Sequence, residues 1–395
     1  MNNLTLINRV KYSKHIYTLY YYVGSWGIRL LKMFVKADAS LIVFASFGGR
    51  RFDDSPKAIY EAMLQDSRFD GYKLVWAFIH PGDYKLPRGE KVQIDTLVYY
   101  KTLLRARIWV TNSSMTRGLS FTGKNCFQLN TWHGSAIKCM GNDINSGNTS
   151  FSIKGKSKLK GVMLAQGDYD VAVFSRAFNI PSDCFRVIGL PRNDELAYTT
   201  KEKEKELKKV IGIPEGKKAI LYAPTFREYD KDDGNNVVLI PPINLQLWAE
   251  RLGDDYVLLF RAHYEVARVM GIKDSDFVKN VSAYPNLNEL MLASDMMISD
   301  YSSIFFDYAI QGKPMISYCY DYEKYAEKRG LYFDIREWLP SATNEEELLR
   351  IIDNTDTTKT SEATIRFQKK YITEYGHATK KSLDIICEHI QNKFE

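Results

Sequence analysis

Short apolar runs alternate with segments of helical spacing from residue 41 onward, a pattern typical of parallel α/β layers. The runs Leu41–Phe47 and Tyr72–Ile79 predict buried strands, and Pro56–Gln65 predicts a helix between them. We expect Ser55 to be the N-cap of that helix, with Pro56 in its first turn. The rest of the first half predicts a helix at Thr96–Arg107 and strands at Ile108–Thr111, Cys126–Asn130, Val171–Phe174 and Phe185–Ile188.

A charged stretch, Lys201–Lys209, predicts an exposed helix with i to i+4 charge pairs and marks the boundary between two halves. The alternation then restarts, which predicts a second α/β unit of similar size and a cleft between the two. We therefore expect domains at 38–200 and 201–395, with the last helix a candidate to cross back to the first. The predicted strands of this half are Ala219–Tyr222, Tyr256–Phe260, Met296–Ser299 and Pro314–Tyr318, and its helices are Leu245–Leu252, Leu287–Ala293 and Ser303–Gln311.

The net charge of +6 belongs entirely to residues 1–37, which contain six Lys and Arg residues and no acidic residue. Tyrosines and Trp26 lie among these bases, as in segments that bind the headgroup region of a membrane. We interpret the segment as a peripheral anchor on the cytoplasmic face of the cell membrane. An ordinary solvated first helix is the alternative. Gly24, Gly27 and Arg29 argue against a spanning helix, and the positions of the bases argue against a secretory signal.

The five scattered cysteines include no C-x-x-C pair, so neither a disulfide framework nor a zinc site is indicated, and a reducing cytoplasm fits best. The remaining chain is electrically balanced and has no RNA-binding motif, which disfavours nucleic acid as a partner. The glycine-rich nucleotide motifs, H-E-x-x-H and G-x-S-x-G are all absent from the sequence. These absences exclude the usual kinase, dehydrogenase, zinc protease and lipase interpretations.

His133 is the candidate general base, because it follows a predicted strand within Trp132-His133-Gly134. Ligands of open α/β sheets bind beyond the carboxyl ends of the strands. A histidine with an ordinary pKa can accept a proton from a hydroxyl group at neutral pH. The alternative is a structural histidine bonded to the backbone.

Two further segments predict a site for an anionic group. Arg261 and His263 follow a strand and point the same way on extended backbone. The segment Asp300–Ser303 ends another strand and opens a helix, whose first N–H groups can bind phosphate. Ser302 is a candidate N-cap of that helix, and Asp307 lies one turn further on. The remaining candidates, Thr225, Arg227, Arg192 and Asn193, lie on turns after predicted strands, where surface arginines with no role in a site are also common.

Taken in order, Asn130–Ser135, Gly189–Asp194, Tyr222–Arg227, Arg261–Tyr264 and Ser299–Asp307 resemble the motifs of the CDP-glycerol glycerophosphotransferase family. The resemblance implies a GT-B-like pair of Rossmann-like domains and transfer of a polyol phosphate from a CDP-polyol to a membrane-bound, undecaprenyl-linked acceptor. It also implies His133 as catalytic base, Arg261 and His263 near the pyrophosphate, and Ser302 and Ser303 in the phosphate-binding turn. We further expect donor-binding residues at Asp300, Thr225, Arg227 and Asp307, and residues that line the acceptor site or the cleft at Trp132, Gly134, Arg192 and Asn193.

The sequence departs from the family motifs at Ser135, Phe226 and Ala262, which leaves CDP-glycerol and CDP-ribitol both open as donors. Teichoic acid and capsule are both open as products, and no cofactor is expected. No cluster with metal-ligand spacing is visible, although Asp300 could hold a divalent ion. The rival functions are a GT-B glycosyltransferase that uses a nucleotide sugar and a non-catalytic nucleotide- or polymer-binding membrane protein.

Overall fold

The computed structural model describes residues 14–144, 159–227, 240–262 and 264–391, and its strands form two sheets in which every strand pairing is parallel. The first sheet contains seven strands: β1 (Asp38–Ala45), β2 (Lys73–Phe78), β3 (Glu90–Gln93), β4 (Ala106–Thr111), β5 (Phe127–Asn130), β6 (Gly161–Ala165) and β7 (Phe185–Val187). Their order across the sheet is β3-β2-β1-β4-β5-β6-β7.

Six strands form the second sheet: β8 (Lys218–Tyr222), β9 (Tyr256–Phe260), β10 (Val278–Asn280), β11 (Met296–Ser299), β12 (Met315–Tyr318) and β13 (Ser341–Ala342). Their order is β10-β9-β8-β11-β12-β13. In both sheets the first strand of the chain, β1 or β8, lies inside the sheet, with the next two strands on one side of it and the later strands on the other. This is the doubly wound arrangement, with switch points between β1 and β4 and between β8 and β11. The prediction of two Rossmann-like parallel units is confirmed.

The helices in the described ranges are α1 (Lys14–Phe34), α2 (Asp54–Met63), α3 (Leu97–Arg105), α4 (Asp168–Phe178), α5 (Asp194–Tyr198), α6 (Lys201–Ile211), α7 (Leu245–Leu252), α8 (Tyr264–Val269), α9 (Leu287–Ala293), α10 (Ile304–Ala309), α11 (Tyr322–Arg329), α12 (Glu345–Asp353), α13 (Thr357–Tyr371) and α14 (Ala378–Gln391).

Two predicted details of the first half are wrong. Val171–Phe174 is not a strand, because it lies inside helix α4, whose buried positions 170, 173, 174 and 177 have helical spacing. The strand of this region is β6, which precedes that helix. The N-cap of α2 is Asp53 rather than Ser55, since the Asp53 carboxylate accepts the N–H of Asp54.

The first sheet is buried on both faces, as parallel sheets require. Val43 of β1 pairs with Val75 of β2 and Trp109 of β4 in one layer of the core. The next residue, Phe44, belongs to the opposite layer and stacks on Trp76 with ring centroids 5.4 Å apart. Near-continuous apolar runs are therefore a better signal for these strands than strict alternation.

The chain divides into two compact units that are not continuous in sequence. Within the described residues, the first unit consists of 14–133, 159–194 and 374–391, and the second of 134–144, 195–227, 240–262 and 264–373. The chain thus passes from the first unit to the second directly after His133.

The motif Gly189–Asp194 fixes the returning C-terminal segment to the first unit. Gly189 has φ +87°, and a Cβ atom there would lie 2.8 Å from the backbone oxygen of Glu374. The Asp194 carboxylate accepts the N–H groups of Ala378 and Thr379 at 2.9 and 2.7 Å, at the start of α14. This part of the motif therefore has a structural role, in which an acidic side chain caps a helix N-terminus.

Helix α1 packs on the first unit through its inner face. Ser25 Oγ accepts the N–H of Ser120 at 2.8 Å, and the Tyr20 hydroxyl donates to the carbonyl oxygen of Arg117 at 2.9 Å. The opposite face carries exposed apolar side chains, which we call the outer stripe: Ile16, Leu19, Tyr22, Val23, Trp26, Leu30, Met33 and Phe34. In the parts of the chain that the structure describes, no helix is long and apolar enough to cross a membrane.

Candidate active site

His133 follows strand β5 on a tightly constrained turn. The Asn130 side chain accepts the N–H of Trp132 at 2.9 Å, and Trp132 has a left-handed backbone with φ +50°. Gly134, with φ +130°, allows the chain to leave the turn. A positive φ at a residue as large as tryptophan costs roughly 1–3 kcal/mol and persists only where the surroundings impose it.

The ring of His133 is oriented by the backbone of Asn112. Its Nδ1 lies 2.8 Å from the carbonyl oxygen of that residue. A carbonyl oxygen only accepts hydrogen bonds, so Nδ1 carries the proton and the lone pair of the neutral ring is on Nε2. The backbone bond that we expected of a purely structural histidine is thus present, and it is also the bond that would orient a general base.

Asn112, for which the sequence predicted no role, links this histidine to the switch point of the first sheet. It directly follows β4, is buried, and accepts the N–H of Phe47 on Oδ1 at 2.7 Å. Phe47 lies just beyond the end of β1, so the Asn112 side chain joins the two strands at which the strand order reverses. Its position directly after a predicted strand was the sequence signal that could have identified Asn112.

Trp132, predicted to line the acceptor site, packs against helix α4. Its ring centroid is 4.6 Å from that of Phe178 and 5.7 Å from that of Phe174. The His133 ring lies against it, with centroids 4.1 Å apart. Trp132 therefore supports the imidazole from one side.

Arg192 and Asn193, also predicted near the acceptor, make contacts inside the first unit. Arg192 Nη1 donates to Asp54 Oδ2 at 2.6 Å, and the Asp54 side chain is only 5% exposed. The buried Asn193 donates to Gln166 Oε1 at 3.2 Å. Both residues thus connect the turn after β7 to neighbouring elements of the same unit.

The other candidates with described side chains follow three adjacent strands of the second sheet: Thr225 and Arg227 follow β8, Arg261 follows β9, and Asp300, Ser302 and Ser303 follow β11. The carboxyl ends of parallel strands meet at the same edge of a sheet. The second unit therefore brings these residues to one edge, on both sides of its switch point.

Asp300 joins two of these loops. Its Oδ1 accepts the N–H groups of Thr225 and Tyr301 at 2.9 and 2.7 Å, and its side chain is 2% exposed. Its Oδ2 lies 2.9 Å from Nη1 of Arg227. Both carboxylate oxygens thus face groups of the protein, which makes Asp300 a residue that positions the loops.

Arg227 is fully buried between two acidic residues. Its Nε and Nη2 donate to Asp321 at 2.7 and 2.9 Å, and Nη1 donates to the Thr225 carbonyl oxygen at 2.6 Å. Burial alone lowers the pKa of Arg227, but the carboxylates of Asp300 and Asp321 outweigh it, so the pKa is raised. Three rings surround the guanidinium within 5.2 Å: Tyr301, Tyr320 and Tyr325. No role was predicted from the sequence for these tyrosines or for Asp321.

Ser302 and Ser303 form a half-buried turn before helix α10. The cap position is Ser303 rather than Ser302, although Ser302 Oγ accepts the N–H of Ile304 at 3.3 Å. Among the described residues, no hydrogen-bond acceptor is found for the backbone N–H of either serine. Two donors at a strand end thus remain available to an anion. Asp307 is buried within α10, one turn further on.

Arg261 is half-buried and held by the neighbouring loop. Its Nη1 donates to the carbonyl oxygens of Val281 and Tyr284 at 3.1 and 2.8 Å, so its guanidinium is fixed at the end of β9. His263 lies outside the described residues. Among those described, no group of three or more His, Cys, Asp or Glu side chains could hold a metal ion.

Comparison with known proteins gives consistent results. The model of the family described as CDP-glycerol:poly(glycerophosphate) glycerophosphotransferase matches residues 28–388. A teichoic acid glycerol-phosphate transferase of Staphylococcus aureus is 31% identical over 370 residues, which cover 89% of this chain and 92% of that protein. A teichoic acid poly(glycerol phosphate) polymerase of Staphylococcus epidermidis is 33% identical over 76% of this chain and 43% of that protein.

Solved structures of the wall teichoic acid polymerase TagF share the fold. One of them, from a variant soaked with CDPG, is 30% identical, with a TM-score of 0.82 and coverage of 93% of both chains. A TagF structure without the soak has a TM-score of 0.79 and covers 91% of both chains. The fold is thus of the TagF, GT-B-like type, and the chain belongs to the CDP-glycerol:poly(glycerophosphate) glycerophosphotransferase family.

Proposed function

We propose that this protein transfers glycerol phosphate from CDP-glycerol to a hydroxyl group of a lipid-linked acceptor in teichoic acid synthesis, with release of CMP. Membership of the family supports the reaction class, and the soak of TagF with CDPG supports the donor. The observation that carries the proposal is the bond from Nδ1 of His133 to the Asn112 carbonyl oxygen, which directs the basic lone pair to Nε2.

In the proposed reaction, Nε2 of His133 accepts the proton of the acceptor hydroxyl. The acceptor oxygen forms a bond to the phosphorus that carries the glycerol, and the bond from that phosphorus to the CMP oxygen breaks. CMP leaves with the electron pair of that bond. General base catalysis of this kind contributes about two to four decades in rate.

The second unit would bind the pyrophosphate of the donor. The N–H groups of Ser302 and Ser303 are suitable donors, and Arg261 supplies a fixed positive charge. Asp300 and Arg227 would act by positioning, because they hold the loops that follow β8 and β11. His263 stays a prediction as a second group near the pyrophosphate.

CDP-ribitol is the less well supported donor. A ribitol-phosphate polymerase of S. aureus is 32% identical, but over only 47% of this chain and 34% of that protein. The deciding experiment is a screen of CDP-glycerol, CDP-ribitol and UDP-sugars with a soluble acceptor analogue, with and without a chelator. We expect CMP release with CDP-glycerol. UDP release from a UDP-sugar would instead support a glycosyltransferase, and no release would support a binding protein.

We further propose peripheral association with the cytoplasmic face of the membrane, where an undecaprenyl-linked acceptor would be met. The outer stripe of α1 supports this, since Trp26 and Met33 are 66% and 65% exposed on a helix without acidic residues. Substitution of Trp26 and Met33 by serine should weaken binding to phospholipid vesicles. Unchanged vesicle binding would refute the role of the stripe.

A further inference from the structure

A pocket of about 510 Å³ lies beneath helix α1 in the first unit. Its lining includes the cationic side chains of Arg29, Lys32 and Lys160 and the hydroxyl-bearing residues Ser120 and Thr122. Arg29 is held in place, since its Nε and Nη2 lie 3.3 Å from the backbone oxygen and Oγ of Ser120. The pocket thus combines three cationic side chains with two hydroxyl groups.

No carboxylate balances this charge within the described ranges. None of the ion pairs found there involves Arg29, Lys32 or Lys160. Burial, followed by repulsion from Lys160 and Lys124, lowers the pKa of Lys32. An anion in the pocket would relieve this repulsion, and phosphate oxygens accept hydrogen bonds from both lysine and hydroxyl groups.

The pocket is distinct from the candidate active site. Lys160 directly precedes β6, so it lies at the amino end of a strand in the first sheet. His133 follows the carboxyl end of the adjacent strand β5. All strands of this sheet are parallel, so the two residues lie at opposite edges of it.

The surroundings of the pocket indicate an amphipathic ligand. Arg29 and Lys32 are on α1, where Trp26, Leu30 and Met33 of the outer stripe lie within one helical turn of them. A ligand that places a phosphate against the cations could therefore lay an acyl chain along exposed apolar side chains. A free phosphate ion would make no use of that second surface.

We propose that this pocket binds the phosphate of an anionic phospholipid headgroup. It would be a discrete lipid site, whereas the membrane association proposed above needs only the outer stripe and diffuse positive charge. The two proposals can therefore fail separately.

The first experiment titrates the full chain with monomeric dihexanoylphosphatidylglycerol, and in parallel with inorganic phosphate, by isothermal calorimetry. We expect the short-chain lipid to bind, and Lys160→Gln and Lys32→Gln each to weaken this binding at least about tenfold, as for loss of a hydrogen bond to a charged group. Inorganic phosphate should bind much more weakly than the lipid. Equal affinity for the two ligands, or no binding of the lipid, would overturn the proposal.

The matched control is Lys36→Gln, which removes one positive charge from the exposed C-terminal side of α1 outside the pocket. It should leave the titration unchanged and weaken binding to phosphatidylglycerol vesicles by no more than about fivefold, as expected for one lysine near an anionic surface. If Lys36→Gln and Lys160→Gln had equal effects on the lipid titration and on vesicle binding, diffuse positive charge would explain the binding and the pocket would be excluded. Thermal unfolding of each variant checks the fold.

The titration with monomeric lipid involves no membrane surface. Its loss in Lys160→Gln would support the pocket even if vesicles did not bind. Vesicle binding through the stripe without binding of the short-chain lipid would refute the pocket alone.

Discussion

Asn112 holds His133 through its backbone oxygen and the loop after β1 through its side chain, at the switch point of the first sheet. The orientation of the imidazole thus depends on the same residue that connects the ends of β1 and β4. Because the bond is to a main-chain oxygen, it survives any substitution of the Asn112 side chain that preserves the local backbone.

The first prediction concerns His133 as the base. His133→Ala should lower kcat with CDP-glycerol by about two to four decades. His80→Ala is the matched control, because His80 is an exposed histidine of the same unit. Turnover close to that of the unsubstituted protein would rule out the proposed role of His133.

The second prediction tests the main-chain donors at the turn before α10. Ser303 has φ −62°, which proline can adopt, and Ser303→Pro would remove its N–H without breaking an internal hydrogen bond of the described chain. We expect CMP release to fall about 10²- to 10³-fold, as for loss of one preorganised donor to developing charge.

Ser303→Ala is the control for this test, since it removes the hydroxyl and keeps the N–H. Its effect should be smaller than that of Ser303→Pro. If the alanine variant were as impaired as the proline variant, the hydroxyl rather than the main chain would be the phosphate ligand.

The third prediction concerns Arg227. Arg227→Met would leave Asp300 and Asp321 buried without their cation, and should lower the free energy of unfolding by about 3–5 kcal/mol. Arg227→Lys keeps the charge but loses the paired bonds to Asp321. Its free energy of unfolding should therefore lie between those of the unsubstituted protein and Arg227→Met. Urea denaturation measures both. A methionine variant of unchanged stability would show that the network is dispensable.

Cys319 provides a pH-dependent report on the same region. Burial, with a further contribution from the Asp300 charge, raises the pKa of the Cys319 thiol to about 12 from its ordinary 9.0. The thiolate is the reactive form, so alkylation by iodoacetamide at pH 8 should be slowed by about 10³-fold in the folded protein. The more exposed Cys184 should react first, and equal rates would contradict this environment for Cys319.

The sign of the accompanying stability effect follows from the proton that the folded state retains. The contribution of Cys319 is full below the ordinary pKa of the thiol and is lost as the pH rises through about 12. Cys319→Ser should therefore reduce the dependence of the unfolding free energy on pH between these values. An unchanged pH dependence of the unfolding free energy in this alkaline range would contradict the raised pKa of Cys319.

The fifth prediction concerns the cap on α14. Asp194→Ala should lower the free energy of unfolding by about 0.5–2 kcal/mol, because the N–H groups of Ala378 and Thr379 lose their acceptor. Asp194→Asn keeps an acceptor oxygen and should cost less. Hydrogen exchange at those two amides should accelerate in the alanine variant. Equal exchange in both variants would show that another group caps the helix.

Four strands of the second half, β8, β9, β11 and β12, were predictable because each is a largely apolar run. The short strands β10 and β13 are not continuous apolar runs and were not predicted. Tyr256–Phe260 and Met296–Ser299 have the predicted limits. Val171–Phe174 failed because four apolar or aromatic residues in a helix are indistinguishable from a short buried strand when considered alone. The neighbouring run at Gly161–Ala165 was the better candidate, since it is longer.

The sequence indicated which residues follow the strands, but not what they contact. The sequence placed Asp300 and Arg227 after strands of the same half. Their ion pair could not be predicted, because it depends on the strand order, in which β8 lies beside β11. These two strands are separated by 73 residues of chain, counted between Tyr222 and Met296. Asp321 and the ring of Tyr325 come from still later in the chain. Contacts of this kind can be identified only when the fold is known.

The discontinuous first unit has a consequence for biosynthesis. Leu383, Ile386 and Ile390 complete a core layer that begins with Ile42 and Phe44, so the ribosome must translate the entire second unit before that layer can close. Until then, this core layer lacks the side chains that the last helix supplies. The core of the first unit can therefore be completed only after the second unit has been translated, and an excised first unit would need residues 374–391 grafted behind residue 194.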